Sequence, residues 1–290
     1  MHRHFVSTNI SERANQARRV LARNPVSAVA LLFIPALTAL AVLAPWIAPF
    51  DPDATDLDHV LQGPAGLHWF GTDQVGRDVF SRVLVAARLD LAIAVSAVLL
   101  SFVIGTVIGG AAAFYGGLPD RLIGRLTDVL MTFPLFVVAM AMVAALGNSI
   151  QSIVLASAVV NLPFFVRLAR SEISVLRSQQ FVEAARAGGN SEWQILFDFM
   201  IPNALPTLTV QVSTGLGWAV LNAASLSFIG LGIRPPTAEW GIMVAEGAAN
   251  ILSGFWWLAI FPATALTLTV LSFNLLGDGL RDVIDVRTRR

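Results

Sequence analysis

Cysteine and lysine are both missing from this chain of 290 residues, and charge of either sign is scarce. Without cysteine there is no disulfide, no thiolate metal site and no cysteine nucleophile, and the redox compartment stays undecided. Without lysine there is no Gly-Lys-Ser/Thr loop to hold β/γ-phosphates and no Schiff-base chemistry. An ATP site of that kind therefore has to sit on another polypeptide. All 19 basic residues are arginine, balanced by 19 acids. A zero net charge gives no general attraction to nucleic acid, and no basic patch interleaved with aromatics argues for it. Charged residues make up 13% of the chain, against roughly 25% in an ordinary soluble domain. What replaces them is hydrophobic: 56% of residues, at a mean hydropathy of +0.70. That composition predicts an all-α membrane protein.

Apolar stretches over 26–50, 91–114, 126–146, 150–166, 206–229 and 255–276 predict six membrane-spanning helices. At 1.5 Å per residue, ~20 residues cover the ~30 Å hydrocarbon layer. The first stretch is longer than a signal-peptide core and follows a basic tail, so it reads as a retained span. Gly105-x-x-x-Gly109 has the spacing that lets helix backbones approach closely in lipid. Asp128 is the one ionised residue inside these spans and reads as an interfacial ion pair with nearby Arg125, or a helix-start carboxylate. Asn161 and Pro163 interrupt the fourth span. The fifth is polar without being charged, so Asn161, Gln211 and Asn222 are candidate pathway-lining residues, with interhelical hydrogen bonding as the competing account. Residues 51–76 read as an aqueous loop, in which His59 and His68 have neither ligand-like spacing nor an acidic partner. Residues 77–88 predict a separate interfacial helix with Val79, Phe80, Val83 and Leu84 inward and Asp78 paired with Arg82. A second polar segment, 230–254, is punctuated by Pro235-Pro236, and Trp256 and Trp257 follow at the position of an aromatic belt.

Between spans four and five lies the longest polar interruption among the later spans, 167–206. An amphipathic helix over Arg167–Arg177 continues the fourth span, and a short helix over Gln179–Ala187 carries Glu183-Ala184-Ala185. Gly188-Gly189 supplies residues that tolerate positive φ where a helix must stop. Ser191-Glu-Trp-Gln194 fits a capping box, and Trp193, Leu196, Phe197, Met200 and Ile201 then follow helical spacing up to the breaker Pro202.

Glu183-Ala184-Ala185, Gly189 and Ile201-Pro202-Asn203 resemble the EAA loop of membrane subunits of ABC-type importers, where a coupling helix seats in a groove of the ATPase subunit. Three further blocks resemble the second permease of the dipeptide/oligopeptide/nickel family. These are Gly71-Thr72-Asp73 with Gly76-Arg77-Asp78; Phe228-Ile-Gly-Leu-Gly232 with Pro235-Pro236-Thr237-Ala-Glu239-Trp240-Gly241; and Asn274-Leu-Leu-Gly277-Asp278-Gly279-Leu-Arg281-Asp282. Phe199 and Asp198 depart from the family pattern, which has a histidine and a basic residue there in many members.

The resemblance implies a type I importer transmembrane domain. It divides the chain into 1–87 (tail, first helix, external loop), 88–277 (five-helix domain with its coupling loop) and a tail over 278–290. It also implies a bacterial inner-membrane location, peptide-like or nickel-complex cargo, a second homologous permease, two ATP-binding subunits carrying ATP and magnesium, and an external solute-binding protein. In that reading the chain holds no cofactor or metal and is not an enzyme. Glu183 makes a polar contact or cap, Ala184, Ala185 and Gly189 allow close backbone packing, and Trp193 and Phe197 are buried at the ATPase contact. Counting arginines independently places fifteen on the side of the amino terminus and the Glu183 loop and four opposite, a positive-inside bias that makes both termini cytoplasmic. An ion-coupled secondary transporter or channel subunit is the alternative, but it calls for midplane charges or inverted repeats, and neither is evident. A third class is an intramembrane enzyme, but no HExxH, paired midplane aspartates or Ser/His couple appears.

Overall fold

The computed structural model describes residues 25–288, with side chains from 32 to 282. The basic tail expected over 1–25 lies outside the described residues up to position 24, as do the final two residues and the side chains of 283–288. Nine helices and two 3₁₀ turns make up the described chain, without a strand. They are α1 (Pro25–Ile47), α2 (Val79–Tyr115), α3 (Gly117–Thr132), α4 (Leu135–Leu146), α5 (Ile150–Leu176), α6 (Gln180–Ala187), α7 (Glu192–Phe228), α8 (Trp240–Ala248) and α9 (Trp257–Thr288). Among the described residues α2, α5, α7 and α9 are long and apolar enough to cross a membrane. The pair α3 and α4 would form a fifth crossing, broken by an 89° bend.

Helix α2 starts at Asp78, whose carboxylate accepts from the Ser81 amide at 2.7 Å, and runs 37 residues without a break. The separate helix expected over 77–88 is thus the first part of α2. No breaker separates Arg88 from Leu91, and burial of Val79, Val83, Ala86 and Ala87 extends the packed face straight through. The expected Asp78–Arg82 pair does not form. Asp78 faces His68 at 2.9 Å, while the buried Arg82 guanidinium donates to the Pro52 and Pro236 carbonyls and approaches Asp53 at 3.4 Å. Both histidines of the 51–76 loop have acidic partners after all, His59 with Asp56 at 2.7 Å and His68 with Asp78.

The third expected span is two helices. Phe133 is extended before Pro134, as a residue preceding proline prefers, and the chain turns there. Asp128 pairs with Arg167 at 2.9 Å, not with Arg125, because the two helices bring residues 39 apart in sequence side by side. In α5 neither Asn161 nor Pro163 breaks the helix, and the extension past Arg167 forms as expected. Helix α2 packs against α5 through Gly105 and Gly109: a Cβ at Gly105 would stand 2.6 Å from Phe165 Cβ, and one at Gly109 would overlap the Val166 carbonyl.

Pro202 does not stop α7. Residues Ile195–Met200 form a π-helical turn in which the Ile201 amide donates to the Leu196 carbonyl, and proline then occupies the first turn of the regular helix, where its missing N–H is harmless. The polar segment 230–254 contains α8, capped by Glu239 and wedged between α7 and α9. There Gly241 touches Ala224, and Gly247 touches Leu258 and Ala259. Trp257 is buried and donates to the Thr72 carbonyl, so only Trp256 stays half exposed.

Candidate functional site

At the end of the bundle away from α8, the chain leaves α5, makes a tight turn at Arg177–Gln179 and forms the eight-residue α6. A helix this short is marginal alone. It persists because Val182 and Ala185 are buried against Ile195, Leu196, Ile173 and Ala169. Its C-terminus closes in a Schellman motif: the Gly189 amide donates to Arg186 at 3.0 Å and the Asn190 amide to Ala185 at 3.3 Å, with Gly189 at φ +82°. Asn190 adds a side-chain bond to the same Ala185 carbonyl at 2.8 Å.

The capping box then starts α7. Ser191 Oγ accepts from the Gln194 amide at 3.3 Å and Gln194 Oε1 accepts from the Ser191 amide at 2.9 Å. Across the elbow, Arg186 donates twice to Glu192, at 2.9 and 3.0 Å. Those bonds push the guanidinium above its ordinary value, so the exposed pair stays ionised. Ile195, Leu196 and Met200 are buried against Ala113 and Phe114 of α2 and Leu208 of α7, fixing the elbow to the main helices.

The opposite face carries aromatic surface. Trp193 and Phe197, one turn apart, stack with centroids 5.6 Å apart and planes at 15°, and Tyr115 meets Trp193 edge-on at 6.2 Å. Trp193 is 57% exposed and Phe197 38%. Glu183, Ala184 and Gly189 are also exposed, whereas Ala185 belongs to the elbow's own core. Phe199 and Asp198, the two departures, are exposed as well. The loop's sequence-assigned residues are therefore together, with Ala185 turned inward and the rest outward.

The other candidates lie elsewhere. Asn161 is buried, donates to Ser157 of its own helix at 2.9 Å and lies beside Gly215 of α7. Gln211 and Asn222 stand half-buried on α7. Sequence reasoning missed two polar constellations near α8. Asp73 binds Arg77 at 2.6 Å within the Gly71–Asp78 turn. Gly71 and Gly76 have φ of +74° and +81°, and a Cβ at either would strike neighbouring backbone. The other is Asp90, one residue before the span expected over 91–114, but buried within α2 with its carboxylate on the Trp240 amide, next to Glu239. The signal available was Glu239-Trp240-Gly241 following two prolines, an acid next to residues that need close packing.

Fold and site together define a helical membrane protein with an ordered elbow and an aromatic face held at one end of its longest helices. The chain belongs to the family described as the binding-protein-dependent transport system inner membrane component, matched over residues 89–290. Residues 13–64 also match the N-terminal TM domain of oligopeptide transport permease C. It is 42% identical over 275 residues to a probable D,D-dipeptide transport system permease protein of Escherichia coli (strain K12), covering 94% of this chain and 92% of that one. It is 44% identical over 268 residues to the glutathione transport system permease protein of Shigella sonnei (strain Ss046), covering 92% and 88%. Membership makes it a multi-pass permease component of an ABC importer, a class that works with an ATPase and a binding protein.

Proposed function

We propose that the chain is one permease subunit of an ATP-driven importer of short peptides or peptide-like solutes, crossing the bacterial inner membrane six times with both termini cytoplasmic. It forms half of the translocation pathway beside a second homologous permease, and two ATP-binding subunits and an external solute-binding protein complete the assembly. The subunit itself is non-catalytic, and ATP with magnesium is held by the partners. Relatives named for D,D-dipeptide and glutathione transport favour peptide-like cargo. The arginine bias favours the orientation.

The observation that carries this reading is the elbow over 180–200. ATP chemistry on a separate subunit moves the pathway only through an element stiff enough to push, and α6 with the start of α7 is fastened by a Schellman motif, a capping box, a bidentate ion pair and a buried apolar underside. Its outward aromatic pair and Glu183 supply the contact surface. Asn161, Gln211 and Asn222 are assigned to the pathway on their uncharged polarity.

Replacing Glu183 with Trp and Gly189 with Val tests the assignment. The double variant should insert normally and assemble with reduced efficiency, and ATP hydrolysis should no longer drive uptake in vesicles. Normal coupled transport by that variant would refute the coupling role.

A further inference from the structure

We propose that Asp90 of α2 and Glu239 of the α7–α8 connection share a single proton, and that this proton fastens α2 to the N-terminus of α8. The two carboxyls are 2% and 0% exposed, and the amide from which Asp90 accepts belongs to Trp240, the residue directly after Glu239. One oxygen of each is satisfied by backbone: Asp90 Oδ2 accepts from the Trp240 amide at 3.1 Å, and Glu239 Oε2 from the Ile242 amide at 2.8 Å. The remaining two, Asp90 Oδ1 and Glu239 Oε1, have no hydrogen-bond partner. Two ionised carboxylates there would be adjacent like charges out of water, each with an unfilled acceptor site. A proton on one carboxyl makes it a donor to the other, removing one charge and both vacancies together. Burial alone holds the Glu239 carboxyl above its ordinary value.

Among the described residues no cation competes for the site. On α2, Arg82 is engaged with Pro52, Pro236, Asp73 and Asp53, and Arg88 is exposed. The connection from α7 adds only exposed Arg234, α7 offers the Ser227 hydroxyl, and Glu246 at the far end of α8 lies 3.9 Å from Arg77. Helices α4 and α5 contribute apolar residues such as Ala139, Val143 and Ile153. A bound metal fits poorly, since no cluster of three or more potential ligands exists among the described residues, and calcium takes about 6–8 oxygens.

The proton matters because α8 is the bridge between α2, α7 and α9. Besides Asp90, it is tied to α2 by Trp240 Nε1 donating to the Val83 carbonyl at 3.0 Å, and the segment before it by Arg82 donating to Pro236 at 3.1 Å. A carboxyl raised above its unfolded value costs stability as pH climbs past that unfolded value, and the loss levels off above the folded one. The clamp is therefore strongest in acid and weakens toward alkaline pH.

Infrared titration of the full chain in lipid nanodiscs reads the proton directly. A carboxylic C=O absorption should persist at neutral pH and disappear in both Asp90→Asn and Glu239→Gln. Thermal stability should fall with rising pH in the wild type. In Asp90→Asn the amide supplies a permanent donor to Glu239, so that slope should flatten; Glu239→Gln serves the same end should the first variant fold poorly. Absence of the absorption at neutral pH, its survival in both variants, an unchanged pH slope, or a stability that depends on added divalent cation would each overturn the proposal.

Discussion

Gly109 shows how little room a single position leaves. The main chains of α2 and α5 meet there, with Val166 where a side chain would begin. Gly109→Val should therefore cost about 1–3 kcal/mol by overpacking, read as a lowered Tm of the purified chain. Gly66→Ala, a position with nothing within 4 Å, should stay within about 0.5 kcal/mol of wild type. Gly189 differs from both: space around it is open, but its φ of +82° penalises any β-branched replacement. Gly105 and Gly109 were recognisable from spacing alone. Asp90 was not, because helical periodicity gives no sign that an acid one residue before an apolar run will be carried into the bundle.

Among the elements, the α6–α7 elbow separates stability from the proposed ATPase contact. Ser191→Ala removes the capping box and should cost about 1 kcal/mol locally, seen as faster amide hydrogen exchange over 190–196 with little change in global Tm. The double variant Trp193→Ala with Phe197→Ala removes two exposed rings that stack on each other, with Tyr115 edge-on to Trp193. It should leave thermal stability nearly unchanged and abolish co-purification of the ATPase subunits. Retention of those subunits would move the docking surface elsewhere. Helices α3 and α4 also show where element reasoning fails: apolar length predicts one span over 126–146, and only Pro134 marks the 89° turn.

For the whole molecule, orientation is the property to test, and the missing cysteines provide the means, since any introduced cysteine is unique. Ala187→Cys and Thr237→Cys both fall on exposed residues at opposite ends of the bundle. A membrane-impermeant maleimide should label Thr237→Cys in cells whose outer barrier alone is opened, and Ala187→Cys only after the inner membrane is breached. The reverse pattern would invert the topology and remove α6 from the ATPase side. Reconstituted alone, the chain should move no solute against a gradient; uphill uptake without partners would contradict its role as a driven gate.

Composition and local pattern by themselves determined the helical membrane class, the Gly105–Gly109 contact, the amphipathic extension of α5, the glycine stop and the capping box, because each depends on residues a few positions apart. Tertiary structure decided the rest: Asp128 meeting Arg167, His59 and His68 finding aspartates, Trp193 and Phe197 left outside while Ala185 turned inward, and Asp90 placed against the start of α8 next to Glu239. Those outcomes depend on which distant segments the folded bundle brings side by side, and the energy of a buried charge is set by that neighbour rather than by its place in the chain.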